Sequence, residues 1–126
     1  MRLVAALLTA AVAVPAFAAP TAQLTDVQYI EANRCLGILS SNALGTPADA
    51  QAMRAFLKTQ EGARVGYIYD KADEARADAL SVSGHAGAVE HQELVAERDG
   101  VCHSFIASAG PSSTAANGGG PNNALQ

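Results

Sequence analysis

The sequence predicts an all-α fold, a small bundle of four to five helices joined by one disulfide bond. Apolar residues recur at helical spacing between residues 21 and 109, which we expect to form a single helical domain. Capping residues precede two of these apolar stretches. The only two cysteines, Cys35 and Cys102, lie within the first and the last predicted helix.

The first 18 residues have the pattern of a secretory signal peptide. Arg2 supplies a positive charge, an apolar run from Leu3 to Val14 follows, and Pro15 precedes small residues that end at Ala18. We expect cleavage after Ala18, with Ala19 as the second choice, because the apolar run is shorter than the ~20 residues that a membrane-spanning helix needs. An uncleaved membrane anchor is the alternative.

Signal cleavage leaves seven basic and twelve acidic side chains, so the net charge of the mature chain is about −5. Nucleic acids and anionic lipids both favour clustered lysines and arginines, so we expect neither as the main partner and no membrane span after cleavage. The expected location is periplasmic or secreted. Two cysteines in an oxidising compartment usually pair, which predicts the Cys35–Cys102 disulfide.

The first helix has a clear amino-terminal signal. Thr25 is a good N-cap, and Gln28, three residues later, completes a capping box. We expect this helix to end near Leu44, because Gly45 is the residue type that commonly follows the last helical turn.

The same helix is apolar on two sides. Its broad face includes Tyr29 and Cys35, and a second stripe consists of Val27, Ile30 and Ile38. A helix of this kind is either sandwiched between neighbours or exposed to a partner chain. The second stripe is therefore the candidate surface for a protein partner or for self-association.

Thr46, Pro47 and Asp49 predict the start of the second helix, as N-cap, first helical position and N3. Gly62 and Gly66 predict a break after it, because each glycine costs about 1 kcal/mol inside a helix. One continuous helix is the alternative, although its length would exceed what so small a domain can bury.

Residues 65–80 predict a third helix, and Ser81–Gly84 predicts the turn after it. The last helix carries Cys102, and its apolar phase continues across Asp99–Gly100, which indicates one helix with a weak point. Residues 110–126 are rich in glycine, serine and asparagine, and their low apolar content predicts a disordered tail.

Two histidines and a glutamate in or beside the last helix are the candidates for a metal or ligand site. His85, Glu90 and His91 are the residues in question, but His85 and His91 are six apart rather than the three or four that place two ligands on one face. We favour a structural role for His91, as a partly buried side chain at the edge of the core.

No acid and base converge in a way that would separate their pKa values, so we single out no catalytic residue and expect no cofactor. The leading hypothesis is a non-enzymatic binding or interaction protein of the cell envelope. The alternative is a small periplasmic protein that binds a metal or ligand through the histidines of its last helix.

Overall fold

The computed structural model describes residues 22–62 and 64–109 of the 126-residue chain. The signal peptide expected at residues 1–18 and the tail expected at residues 110–126 lie outside this part. The described residues are all-α and contain no strand, as predicted. The elements are α1 (Asp26–Ser40), α2 (Pro47–Thr59), α3 (Gly66–His85), α4 (Ala88–Glu97), a π-helical turn (Arg98–Cys102) and α5 (His103–Ser108).

The central helix is α1, which packs against α2, α3 and the π-helical turn. α2 runs antiparallel to α1. α3 runs in the same direction as α1, because Tyr29 lies against Tyr69 at one end and Gly37 lies against Arg76 nearer the other. Neighbours on several sides explain why α1 has apolar residues on two faces. Within the described ranges, no helix is both long and apolar enough to cross a membrane.

The structure corrects the partner surface expected on α1. Ile38 is fully buried with 0% exposure, Ile30 is partly buried against the core, and Val27 is 75% exposed. A helix on the surface of a protein buries only one face, but α1 is covered on several sides by α2, α3 and the π-helical turn. Ile38 is buried for this reason. The three residues therefore form no continuous exposed stripe, and Ile38 belongs to the core.

Both predicted amino-terminal caps are present. The Thr25 hydroxyl accepts a hydrogen bond from the Gln28 backbone N–H at 3.3 Å, and the Gln28 side chain accepts one from the Thr25 N–H at 3.0 Å. The Thr46 hydroxyl accepts a hydrogen bond from the Asp49 N–H at 3.2 Å. Each cap satisfies helix N–H groups that have no partner within the first turn.

The carboxyl end of α1 lies at Ser40, earlier than the predicted end near Leu44. The Ser41 hydroxyl accepts a hydrogen bond from the Ala43 N–H, and the Ser41 carbonyl accepts one from the Gly45 N–H. These bonds turn the chain before Leu44. Only glycine fits at position 45, because an added Cβ would lie 1.8 Å from the carbonyl oxygen of Leu39.

The predicted break between the second and third helices is confirmed, since α2 ends at Thr59 and α3 begins at Gly66. The predicted turn at Ser81–Gly84 is wrong, because α3 continues through it to His85. The Ser83 side chain is buried and its hydroxyl donates to the Ala79 carbonyl at 2.6 Å, so a residue typical of turns is satisfied inside the helix.

α4, the π-helical turn and α5 follow one another without a gap and form one continuous rod. The expected weak point at Asp99–Gly100 is the π-helical turn, where the His103 N–H donates to the Arg98 carbonyl, five residues back. A π-helical turn holds one more residue than an α-helical turn. Cys102 therefore faces the core two turns beyond Leu94, whereas Val101 is 39% exposed.

The Cys35–Cys102 disulfide is present, with a Cα–Cα distance of 5.2 Å, and both cysteines are 0% exposed. Beside it, Arg34 donates two hydrogen bonds to Glu97, at 2.7 and 3.0 Å. This ion pair raises the pKa of Arg34 above its ordinary value. The covalent bond and the ion pair attach the rod to the middle of α1.

Two polar side chains that follow α2 hold the segment before α1. Gln60 accepts a hydrogen bond from the Leu24 N–H at 2.8 Å, and Arg64 donates one to the Leu24 carbonyl at 2.8 Å. Arg64 also pairs with Asp26, and its guanidinium carbon lies 4.5 Å from the centre of the Tyr29 ring. The chain before α1 is thereby fixed against the connection between α2 and α3.

Replacing Gln60 with alanine should lower the free energy of unfolding by about 1–3 kcal/mol, because the partly buried Leu24 N–H loses the acceptor that the fully buried Gln60 side chain supplies. Urea denaturation measures this loss, and hydrogen exchange of the Leu24 amide should accelerate with it. Gln51→Ala is the matched control, since Gln51 is an exposed glutamine of α2, the helix that precedes Gln60. Equal stabilities for the two variants would contradict the assigned role of Gln60.

Candidate functional site

An open cleft lies between α2 and α3, over one side of α1. Its larger part has a volume of about 490 Å³ and a floor formed by residues of α1, including Tyr29, Asn33 and Leu36. The cleft exists because α2 and α3 each pack on α1 but make few contacts with each other. A depression over α1 therefore remains between them, and Tyr29, Asn33 and Leu36 at its floor are each at most 6% exposed.

A second part of about 380 Å³ continues the cleft towards the carboxyl end of α1. The two parts share Leu36, Arg54 and Arg76 among their lining residues, so they are successive sections of one groove. Leu80 lines the far section and is 45% exposed, which makes it the large apolar side chain most accessible from this end. Arg54 also borders a third depression of about 230 Å³ at the α1–α2 turn.

The walls of the cleft carry more positive than negative charge, in a chain whose formal net charge is −4. Arg54, Lys58 and Glu61 line the α2 wall, and Asp73 and Arg76 line the α3 wall. Arg76 donates a hydrogen bond to Asp73 at 2.7 Å. Among the described residues, no carboxylate lies within 4.0 Å of the cationic groups of Arg54 or Lys58.

Sequence reasoning missed this cleft, because its residues come from three helices and none belongs to a motif. Arg54 and Lys58 have the spacing and polarity of an ordinary solvated helix face. One signal was available: they are like charges four residues apart, an arrangement that destabilises a helix slightly. Nothing in the sequence indicated that Arg76 would face them across α1.

The structure separates the candidate metal ligands. His85 is exposed, with its Nδ1 2.9 Å from the Ser81 carbonyl oxygen, and Glu90 is exposed on α4. His91 is half-buried, at the edge of the core. In residues 22–62 and 64–109, no group of three or more histidine, cysteine, aspartate or glutamate side chains is placed to hold a metal ion.

A small depression of about 160 Å³ lies beside the π-helical turn, lined in part by Asp49, Asp99 and His103. Asp99 accepts two hydrogen bonds from Arg98, at 2.7 and 3.1 Å, and this contact holds the pKa of its carboxyl below the ordinary value. Arg98 also donates to the Leu44 carbonyl at 3.0 Å. Because Arg98 and Asp99 are engaged with each other and with the turn after α1, they have a structural role.

Comparisons with known proteins do not assign a function to the cleft. No protein-family model matches the chain, and neither the curated proteins nor the solved structures give a significant match. The functional argument therefore rests on the fold and on the cleft between α2 and α3.

Proposed function

We propose that this protein is a non-enzymatic binding protein that acts outside the cytoplasm and holds a partner in the cleft between α2 and α3. One observation carries the proposal: the rigid helices of the bundle leave a long groove over α1 open to solvent. Binding sites commonly occur between the helices of a bundle, where the scaffold positions side chains without the entropy cost of ordering a loop.

The disulfide supports the rigid-scaffold part of this proposal. It ties α1, which forms the floor of the cleft, to the carboxyl-terminal rod. The rod in turn reaches α2, where Phe105 lies against Phe56 with ring centroids 6.1 Å apart. Because the floor and one wall share these attachments, the cleft keeps its shape before a partner arrives.

Two features of the chain support action outside the cytoplasm. The amino-terminal sequence has the pattern of an export signal, with a cleavage site expected after Ala18. A buried disulfide is typical of proteins in oxidising compartments. Mass determination of the mature protein from its native host tests this point, and retention of residues 1–18 would contradict it.

The alternative hypothesis, a metal or ligand site on the histidines of the last helix, gains no support. His85, Glu90 and His91 form no metal-binding group among the described residues. The cleft, in contrast, brings residues of three helices together around one depression. We therefore place the binding function at the cleft.

Site-specific photo-crosslinking tests the location of the binding surface. A photoreactive phenylalanine analogue is introduced at Glu61 or Ala77, which line the cleft, and the protein is irradiated in envelope extract of its native host. We expect a discrete adduct from both positions. The matched controls are Lys71 on α3 and Ser104 on α5, which do not line the cleft. Adducts of equal yield at all four positions, or at none, would contradict the proposal.

A further inference from the structure

The geometry points to an acidic polypeptide segment as the occupant of the cleft between α2 and α3, recognised through Arg54 and Lys58, and this inference rests on the proposed binding function. The first argument is the arrangement of charge on α2. Arg54 and Lys58 are four residues apart, so their side chains lie on the same face of the helix. Both are exposed, and both line the cleft.

These two cations repel each other in the free protein. Like charges at this spacing destabilise a helix by a few tenths of a kcal/mol. On α3, Lys71 and Arg76 each pair with a carboxylate three residues away. Within the described residues, Arg54 and Lys58 have no such partner. A carboxylate bound between them would relieve the repulsion.

Arginine also favours carboxylates for geometric reasons. Its planar guanidinium can donate two parallel hydrogen bonds to one carboxylate group, and such charge-assisted pairs are short and directional. Arg54 lies where the sections of the groove meet, so a segment that follows the groove passes it. Arg76 on the opposite wall adds a second guanidinium, although Asp73 already neutralises its charge.

The shape of the cleft favours a polypeptide over a small molecule. Sites for small ligands are mostly apolar and enclose about 70–90% of the ligand surface. This cleft is open along its length and carries charged side chains on both walls. Its floor extends from Tyr29 to Ser40, about 16 Å at the helical rise of 1.5 Å per residue, which matches three turns of a docked helix.

One apolar contact completes the recognition pattern. Leu80 is 45% exposed at the end of the cleft beyond Arg76. A partner helix with carboxylates near Arg54 and an apolar side chain near Leu80 would bury this leucine. The acidic character of the rest of the chain repels the same partner elsewhere, so electrostatic attraction is concentrated at the cleft.

Fluorescence anisotropy with a defined probe tests the inference. The probe is a labelled amphipathic helical peptide with glutamates along one face and leucine at one end, and its matched control has glutamine in place of every glutamate. We expect the full-length protein to bind the glutamate peptide at least about tenfold more tightly than the glutamine peptide. The difference should shrink as salt is added, because the cations are exposed.

Charge reversal assigns the binding to the cleft. Arg54→Glu and Lys58→Glu should each weaken binding of the glutamate peptide about tenfold or more. Lys71→Glu makes the same change in net charge outside the cleft and should alter the dissociation constant less than about twofold. Far-UV circular dichroism and melting temperatures verify that all three variants are folded. Equal losses in Lys58→Glu and Lys71→Glu would overturn the inference, as would equal affinity of the wild type for both peptides.

Two further outcomes separate this inference from the proposed function. Adducts specific to the cleft without binding of the glutamate peptide would leave the function standing and overturn the acidic partner. Sedimentation velocity of the protein alone tests a second copy of the chain as the occupant. Self-association that Arg54→Glu abolishes would identify that copy as the partner and would also overturn the inference.

Discussion

Replacing Cys35 and Cys102 together with alanine is expected to lower the free energy of unfolding by about 4 kcal/mol, the value that chain entropy assigns to a loop of this length. The two residues are 67 apart in sequence, and the disulfide between them is fully buried. A single domain of this size is typically stable by about 5–15 kcal/mol, so the loss would remove a large share of the total.

Urea denaturation and the melting temperature measure this effect. The control is the wild-type protein in its reduced form, which keeps both cysteine side chains. It is reduced while unfolded and then refolded in the presence of a reductant, so that the disulfide does not form again. Both forms should show a similar loss of stability if the crosslink itself is responsible. An unchanged denaturation midpoint in the reduced protein would contradict this explanation.

The loss should also be uneven across the molecule. Besides the disulfide, the rod contacts α1 through the Arg34–Glu97 ion pair, the turn after α1 through the hydrogen bond from Arg98 to Leu44, and the core through Leu94 and Phe105. An exposed or half-exposed ion pair contributes little. Hydrogen exchange in α5 of the double alanine variant should therefore accelerate more than in α1, whose other neighbours are retained.

Gly37→Val is expected to destabilise the protein by about 3 kcal/mol, near the upper end of the usual cost of overpacking. An added Cβ at Gly37 would lie 2.3 Å from the carbonyl oxygen of Arg76 and 2.8 Å from the Cβ of Ala79. Backbone and Cβ atoms cannot turn aside as a flexible side chain does. α1 and α3 would have to separate along their contact, which is the largest interface between helices in the described structure.

Gly84→Ala is the matched control, because it is a glycine of α3 with no neighbouring atom within 4 Å of the added Cβ. Alanine there should raise stability by up to about 1 kcal/mol through its higher helix propensity. The two substitutions thus have opposite expected signs in urea denaturation. A stabilising Gly37→Ala, measured in the same series, would contradict the close contact between α1 and α3.

Several local features of this fold could be predicted from the sequence because short-range physics determines them. Thr25 and Thr46 cap their helices through hydrogen bonds that span three residues. Gly62 and Gly66 flank a real break, since no apolar face continues through them to justify their entropic cost. The two cysteines pair because the chain offers each only one partner.

Other features failed at the sequence level because distant contacts override local preference. Ser83 belongs to a stretch with the composition of a turn, yet it lies inside α3 and is 2% exposed. Ile38 was assigned to the candidate partner surface, but packed neighbours cover it. The apolar phase was expected to continue across Asp99–Gly100, but the π-helical turn shifts it, so that Cys102 faces the core and Val101 is 39% exposed.

The all-α class, the starts of α1 and α2, the break after α2 and the pairing of the two sulfurs could all be predicted from the residues alone, because each depends on neighbouring residues or on simple availability. Which helix faces are buried, and where the cleft lies, depend instead on how the helices pack together. Because α3 packs beside α1 in the same direction, Arg76 lies across the cleft from Arg54. Contacts between residues so far apart in the sequence produce no periodic pattern by which they could be predicted.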